Sequence, residues 1–196
     1  RNLINRGISQ VFILSEQDVQ FNHKKLPTLK LSQRPTFNDL LNFSKLYTGL
    51  KAIANTDIFF TPQEVKKLKE VDYAQRVVAL TRWNIPEVGM PEFYGSSASQ
   101  DAWIFKDVPN IDVDYFLGTA GVDNRIAHEI EEAGYEIINP SLSIKSFHYH
   151  LSSIRSKRGG VPPPHKFLSP CFFQKLPEKP SILHYADKKI HLHGFI

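Results

Sequence analysis

The chain of 196 residues has a single cysteine, Cys171. One cysteine excludes an internal disulfide framework and a zinc site built from cysteines. It is also typical of proteins in a reducing compartment, so we expect a cytoplasmic protein. Long apolar runs are absent too, because the longest, such as 11–14 and 77–80, span only four residues. A transmembrane helix needs about 20 apolar residues, so we expect no transmembrane segment.

Several well-known catalytic and nucleotide-binding motifs are absent from the sequence. It contains no Gly-x-Gly-x-x-Gly fingerprint, no Walker loop, no Gly-x-Ser-x-Gly elbow and no His-Glu-x-x-His pair. Dinucleotide oxidoreductases, P-loop kinases, standard serine hydrolases and gluzincins are therefore not the default interpretation. No basic stripe interleaved with aromatic residues occurs either, so we expect no nucleic-acid partner.

The net charge of +4 conceals a strong asymmetry along the chain. Residues 1–60 carry 8 basic and 4 acidic side chains, residues 61–140 carry 7 and 14, and residues 141–196 carry 9 and 2. An acidic middle with basic flanks suits a site where carboxylates hold a metal and basic groups meet phosphate. Ordinary solvated faces would give the same totals.

Short buried strand patterns alternate with helical ones, which predicts an α/β fold. We expect three layers, α/β/α, around a mixed, mostly parallel sheet. The helix signals are a capping threonine followed by an acid at 36–39 and at 61–64, and an apolar stripe over 123–133. From residue 157 the chain is rich in proline, which predicts a domain over 1–156 and a linker or extension over 157–196.

A first candidate site follows the predicted strand 51–54, where Asn55, Thr56 and Asp57 occur in sequence. Open α/β sheets bind ligands at the carboxyl ends of their strands. An acid there can hold a divalent cation, which in turn can hold a diphosphate. The alternative is that Asn55 and Asp57 only make the turn out of the strand.

A second candidate is Asp123, at the start of the predicted helix after Gly121. A carboxylate in this place can act as a general base toward a hydroxyl. The alternative is a structural one, since aspartate is among the best residues for capping a helix N-terminus.

A third candidate is the strand around Phe147, in which His148 and His150 alternate onto one face. Two imidazoles two positions apart on a strand lie about 6.5 Å apart, too far to bind one ion without bending the strand. We therefore expect one of them to be a metal ligand and the other a hydrogen-bond donor. Exposed histidines on a polar face are the alternative.

Two further segments contain polar residues at strand ends. Arg82 could neutralise phosphate charge in a bidentate manner, and Trp83 could stack on a sugar or base. Asp101 stands just before the predicted strand 102–105. A simple surface pair would explain Arg82 and Trp83 equally well.

Taken in order, these segments resemble a nucleotide-sugar glycosyltransferase of the A-type fold. The stretch 52–60, AIANTDIFF, resembles the strand that ends in the Asp-x-Asp metal motif of that fold, with Asn55 in place of the first acid. The stretch 121–140, from GVD to EIINP, resembles its acceptor-side helix. Segments 79–83 and 99–105 are similar to bacterial and viral proteins usually labelled glycosyltransferases. The resemblance covers residues 8–155.

The resemblance implies a role for each candidate residue. Asp57 with His148 or His150 would hold Mn²⁺ or Mg²⁺ at the leaving nucleoside diphosphate. Asp123 would be the base of an inverting enzyme, or would position the sugar in a retaining one. Substrate-binding residues would be Asn55, Arg82, Trp83, Asp101, Asn124 and Arg125. The partners implied are a nucleoside-diphosphate sugar and a glycan acceptor, as in polysaccharide biosynthesis, with further domains expected in a longer polypeptide.

Two other functions remain open at this point. A non-catalytic module could hold a nucleotide sugar or glycan without turnover, which Asn55 favours. A metal-dependent phosphodiesterase could use the same Asp and His residues, although such sites usually gather more ligands.

Overall fold

The computed structural model describes residues 1–19, 21–149, 160–173 and 190–195. Within these ranges three α-helices and eleven β-strands form. The helices are α1 (Phe37–Ser44), α2 (Pro62–Glu70) and α3 (Val122–Glu132). The strands are β1 (Ile8–Ser15), β2 (Thr28–Lys30), β3 (Leu50–Asn55), β4 (Ile58–Phe59), β5 (Arg76–Leu80), β6 (Arg82–Asn84), β7 (Glu92–Phe93), β8 (Ala102–Phe105), β9 (Glu136–Ile138), β10 (Ser146–His148) and β11 (Ile190–Phe195).

The first two helices begin where the sequence predicts. The Thr36 hydroxyl accepts a hydrogen bond from the backbone of Asp39, whose carboxylate accepts one from the backbone of Thr36 in return. Thr61 caps α2 in the same way through the backbone N–H of Glu64, and Pro62 fills the first turn. Both caps satisfy backbone donors that the helix itself leaves unpaired.

Helix α3 does not begin as the structural alternative for Asp123 supposes, because Asp123 does not cap it. The N-cap is Gly121, with a φ of 81° in the left-handed region, and no side chain caps the helix. A side chain at Gly121 would also meet His165 and the carbonyl of Val161 at 3.1–3.2 Å. Glycine is therefore required at this position for both backbone and space, and the Asp123 carboxylate is available for other contacts.

The larger sheet has seven strands in the order β2-β1-β11-β3-β8-β5-β9. Strands β2, β1, β11 and β3 run parallel to one another, and so do β5 and β9, but β8 is antiparallel to both of its neighbours. A smaller sheet, β4-β10-β6-β7, has antiparallel pairs at both ends and a parallel pair between β10 and β6. The fold is mixed α/β, as predicted. Antiparallel pairs are more frequent in it than in the mostly parallel sheet that we expected.

Buried apolar side chains form two clusters, and alternate residues of the central strands contribute to different ones. Ile53 and Trp103 belong to the cluster that includes buried residues of α1 and α3. Ala52 and Ile104 belong to the cluster that includes buried residues of α2. This alternation is the period of two that a strand imposes when both of its faces are covered.

Part of the predicted extension packs against the domain. Val161 and Leu168 lie in the same apolar cluster as α3. The backbone N–H of Val161 donates to the carbonyl of Ala120, and that of Leu168 donates to the carbonyl of Ser97. The backbone of β11 lies between β1 and β3 in the larger sheet. The core therefore continues past the boundary predicted at residue 156.

Among the described residues, none of the helices has the length and apolarity needed to cross a bilayer.

Candidate functional site

The ends of three strands meet at one edge of the larger sheet. Strand β3 ends at Asn55, β5 ends at Leu80, and β8, running the other way, begins just after Asp101. The backbone of Asp101 bridges the three, because its N–H donates to the Leu80 carbonyl (2.8 Å) and its carbonyl accepts from the Asn55 N–H (3.2 Å). This edge is where an α/β sheet offers ligands a crevice.

The smaller sheet adds side chains to this edge. Strand β6 follows β5 after a single residue, and β10 pairs with β6 in parallel, so that His148 lies directly beside Asn84. Strand β4 follows β3 after a two-residue turn that contains Asp57. Neighbouring strand ends thus bring residues from distant parts of the sequence together.

Six polar side chains form a nearly closed ring of hydrogen bonds at this edge, and we call it the polar ring. Asn55 Nδ2 and Arg82 Nη1 both donate to Asp101 Oδ1, at 3.2 and 3.0 Å. Arg82 Nε donates to Asn84 Oδ1 at 3.0 Å, and His148 Nδ1 lies 3.1 Å from the same oxygen. His148 Nε2 lies 3.0 Å from Asp57 Oδ2, and Asp57 returns to Asn55 through the turn.

Asp57 and His148 form the more accessible side of the polar ring. The Asp57 side chain is 40% exposed, whereas that of His148 is 9% exposed. Burial acts to raise the pKa of Asp57, but the hydrogen bond and charge of His148 outweigh it and hold that pKa below its ordinary value. Asp57 is therefore ionised over the whole neutral range.

Asp101 forms the buried side of the polar ring. Its pKa is raised by burial, which the neighbouring Arg82 guanidinium only partly offsets. Asp101 Oδ1 accepts two hydrogen bonds, but Oδ2 is buried without a partner among the described residues. A buried carboxylate oxygen without a donor is costly in a folded protein, so this atom is a candidate to meet a ligand hydroxyl or water.

Asp123 lies next to the polar ring, in the first turn of α3. Its Oδ2 accepts a hydrogen bond from the backbone N–H of Gln100 at 3.3 Å, which ties the helix to the segment before β8. Burial raises the pKa of Asp123 well above its ordinary value, and the Asp101 carboxylate pushes it in the same direction. The pKa values of Asp101 and Asp123 are thus both raised, unlike that of Asp57.

The structure separates other predicted residues from this cluster. Trp83 points to the opposite face of β6 from Arg82, where its Nε1 donates to the carbonyl of Ser141 (2.9 Å) and its ring packs on Phe93. The Lys145 ammonium lies 3.9 Å from the centre of the same ring. Trp83 therefore supports the smaller sheet and does not join Arg82 in the polar ring.

Asn124 and Arg125 also have structural partners. Asn124 is buried, and its side-chain amide donates to the carbonyl of Lys166 (3.1 Å). Arg125 Nε donates to Glu129 one turn along α3, at 2.6 Å. His150 lies outside the described residues.

Sequence reasoning missed two residues of the site. Asn84 lies in a segment whose sequence predicts a turn, and its neighbours in sequence do not indicate that it belongs to the polar ring. Gln100 holds Asp123 through its backbone, which any residue other than proline could do. Only the register between β6 and β10, which joins residues far apart in sequence, places Asn84 beside His148.

Few side chains are available as ligands for the predicted metal ion. The described residues contain no group of three or more His, Cys, Asp and Glu side chains placed to hold a metal ion. Asp57 and His148 are the pair of predicted ligands that the structure does bring together.

No family model, no curated protein and no solved structure matches the chain.

Proposed function

We propose that this protein is a glycosyltransferase that moves a sugar from a nucleoside-diphosphate sugar to a hydroxyl of a glycan acceptor. The observation that carries the proposal is the polar ring with Asp123 beside it. One side offers an ionised carboxylate and an imidazole, and the other offers carboxyls whose pKa values are raised. Two carboxyl environments with opposite pKa shifts suit a reaction that needs both charge stabilisation and proton transfer.

The packing of the helices is consistent with the fold that the resemblance implies. Helix α2 contributes to one apolar cluster, and α1 and α3 contribute to the other. We take these as the outer layers of an α/β/α arrangement around the larger sheet. A cytoplasmic location is part of the same proposal and is supported by the single cysteine.

Asp57 and His148 fit a divalent cation such as Mn²⁺ or Mg²⁺. Such ions are commonly held by one or two protein side chains, with phosphate oxygens and water completing the coordination. Asp57 Oδ2 and His148 Nε2, 3.0 Å apart, would supply those two protein ligands. The cation would offset the negative charge that develops on the departing diphosphate.

Asp123 would take the proton of the acceptor hydroxyl. A general base works best when its pKa lies near the operating pH, and burial together with Asp101 moves the pKa of Asp123 toward that range. The Gln100 N–H holds one carboxylate oxygen, which orients the other. Asp101 Oδ2 would accept a hydrogen bond from a sugar hydroxyl, and Arg82 would add positive charge near the diphosphate.

Calorimetry of uridine and guanosine diphosphates, with and without Mn²⁺, tests the donor side. We expect binding that Mn²⁺ strengthens in the native chain, and loss of the Mn²⁺-dependent part in Asp57→Asn. Asp114→Asn is the matched control, since it removes an exposed carboxylate that does not belong to the polar ring. Unchanged Mn²⁺ dependence in Asp57→Asn would remove this residue from the metal site.

The converse variant is Asn55→Asp. It introduces an acid at the position where the family that this chain resembles has one. The Asn55 side chain already lies at the edge of the sheet. We expect tighter Mn²⁺ binding in this variant.

A binding module without turnover is the second candidate. It is favoured by the small donor set, since Asp57 and His148 are joined by a direct hydrogen bond and no third acid or histidine among the described residues joins them. Hydrolysis of a nucleotide-sugar donor in the presence of Mn²⁺ distinguishes the two, because a binding module gives no rate above background.

A further inference from the structure

The face of the smaller sheet opposite to the polar ring carries one aromatic side chain on each of its four strands. Phe147 of β10 is the register partner of Phe59 on one side and of Trp83 on the other, and Trp83 is the partner of Phe93. His148 is the next residue of β10, so its side chain lies on the other face. We call Phe59, Phe147, Trp83 and Phe93 the aromatic row.

The rings of the aromatic row support one another and remain accessible. The ring centres of Phe59 and Phe147 lie 5.5 Å apart with 25° between their planes, and those of Trp83 and Phe93 lie 5.0 Å apart at 37°. All four side chains are partly exposed. Cross-strand aromatic pairs of this kind stabilise a sheet, and here they also leave an apolar strip at the surface.

Two cations lie on the rings of this face. The Arg1 guanidinium is 4.5 Å from the ring centre of Phe59 and 5.5 Å from that of Tyr149, and the Lys145 ammonium is 3.9 Å from that of Trp83. In the described part of the chain, no carboxylate forms an ion pair with either cation. Both charges and their N–H donors can therefore meet an anionic ligand.

The dimensions of the aromatic row favour a narrow ligand. Four strands span three strand spacings, about 14 Å, and the row is about 7 Å wide along the strands, which gives on the order of 100 Å². A stable protein interface buries about 800 Å² on each partner. The aromatic row is thus far too small for a protein partner or a second copy of this chain, and its shape suits one linear chain.

We propose that the aromatic row docks a linear acidic glycan. The C–H groups of the sugar rings would pack against the apolar strip, and the carboxylates of the glycan would meet Arg1 and Lys145. The choice of a glycan over another linear anion rests on the proposed function, in which the acceptor is a glycan. The aromatic row would hold part of that acceptor on the other face of the sheet that contributes to the polar ring.

The ring contacts favour a glycan over a single-stranded nucleic acid. Proteins that bind single strands offer open ring faces on which the flat bases stack. Here Arg1 lies over the Phe59 ring and Lys145 over the Trp83 ring, and each of these rings also contacts an aromatic neighbour. A sugar chain does not need an open ring face, because it has C–H groups and hydroxyls on all sides.

Three variants separate the charges from the rings. The double variant Arg1→Gln with Lys145→Gln removes both cations, and Phe147→Leu removes one ring but keeps an apolar side chain. Lys106→Gln is the matched control, since Lys106 is exposed and lies after the other end of β8 from Asp101. Thermal melting checks that each variant is folded, and the charge variants test the proposal even if Phe147→Leu does not fold.

Calorimetry with oligogalacturonate and with its methyl ester is the first measurement, because the two share one sugar backbone and differ in charge. We expect the native chain to bind the acid more tightly than the ester. An exposed ion pair contributes about two- to fivefold in affinity, so the double variant should bind the acid about tenfold more weakly. Phe147→Leu should weaken both ligands about two- to tenfold, and Lys106→Gln should match the native chain.

Ionic strength gives an independent check on the charges. Raising it from about 0.01 to about 1 M shortens the screening length from about 30 to about 3 Å, which should weaken the binding of the acid more than that of the ester. A native chain that binds neither ligand would overturn the proposal. So would equal affinity for the acid in the native chain and the double variant.

Two other occupants are outcomes of the same experiment. Oligothymidylate of matched charge tests a nucleic acid, and binding as tight as that of oligogalacturonate would overturn the assignment to a glycan. Sedimentation tests a second copy, and a dimer that Phe147→Leu dissociates would make the aromatic row an interface between copies.

Calorimetry of uridine and guanosine diphosphates with Mn²⁺, on the same variants, keeps this proposal apart from the transferase. The double variant should bind them as the native chain does, because the aromatic row faces away from the polar ring. A native chain that binds oligogalacturonate but neither diphosphate contradicts the proposed function and supports the docking role. A native chain that binds a diphosphate but no acidic glycan has the reverse meaning.

Discussion

The two sheets are built on different principles. In the larger sheet, all four side chains of β8 are at most 1% exposed, and they are all apolar. In the smaller sheet, every side chain of β6 is partly exposed, and its polar members bind one another. The candidate site lies where the two sheets meet.

This difference separates the interactions that stabilise the fold from those that orient the side chains of the candidate site. Burial of apolar surface is strong and needs no particular direction, so β8 needs only the right shape. Hydrogen bonds are weaker but directional, so β6 can fix the orientation of His148 through Asn84. Asp101 is buried and Asp123 is half-buried, and the pKa values of both are raised, while Asp57 is half-exposed and its pKa is lowered.

Asp123→Asn tests whether the buried side supplies the base. Since an amide cannot take a proton as a carboxylate does, we expect sugar transfer to fall about 10²–10⁴-fold. Binding of uridine diphosphate with Mn²⁺ should barely change, because the proposed base acts on the acceptor. Steady-state transfer assays together with calorimetry measure both, and near-normal transfer by the folded variant would return Asp123 to a structural role.

Phe105→Ala and Phe93→Ala compare the two sheets directly. Phe105 is 1% exposed in β8, and its loss should lower the free energy of unfolding by about 3–5 kcal/mol. Phe93 is partly exposed in β7 and packs against the Trp83 ring at 5.0 Å, so its loss should cost about 1 kcal/mol. Urea unfolding curves measure both, and equal losses would show that the smaller sheet is as tightly packed as the larger.

The raised pKa of Asp123 should make the stability of the protein depend on pH. Because the folded pKa of Asp123 is raised, the folded state retains a proton that the unfolded state releases from about pH 4 upward. The native chain should therefore lose stability relative to Asp123→Asn as the pH rises from about 4 toward that raised pKa. Thermal melts of both proteins across this range check it, and a difference that does not change with pH would contradict the raised pKa.

Thr61→Ala should have the smallest effect. Thr61 caps α2, the helix between β4 of the smaller sheet and β5 of the larger, so the cap supports both. Loss of one such cap costs about 1 kcal/mol of unfolding free energy. Thr61→Ser should retain almost all of it, since serine accepts the same hydrogen bond, and urea unfolding resolves the difference between the two variants.

The sequence predicts well those elements that local patterns determine. Strand β8 has the predicted bounds, and helix α2 begins at the predicted proline because its cap is local. Strands β4, β6 and β7 have only two or three residues each and no periodic pattern, so they are predicted by no local signal. Strand β11 pairs with partners more than a hundred positions away, which a local pattern cannot indicate.

The candidate site is predictable in part for the same reason. Asp57 and Asp123 stand at element ends that the sequence marks, and His148 follows from the alternation of its strand. The place of Asn84 depends on the register between two strands of the smaller sheet, and the separation of Trp83 from Arg82 depends on β6 being a strand rather than a turn. The acidic middle of the chain did contribute the buried carboxyls, but charge alone does not distinguish them from surface acids.

Residues 160–173 determine how the chain can be shortened. A chain cut at residue 156 would leave the buried amide of Asn139 without the Leu168 carbonyl to which it donates, and that of Asn124 without the Lys166 carbonyl. The cut would also remove the Ala120–Val161 backbone bond beside the start of α3, next to Asp123. A shortened protein that keeps every proposed site residue would therefore lose both β11, which lies between β1 and β3, and the contacts beside the helix end that presents Asp123.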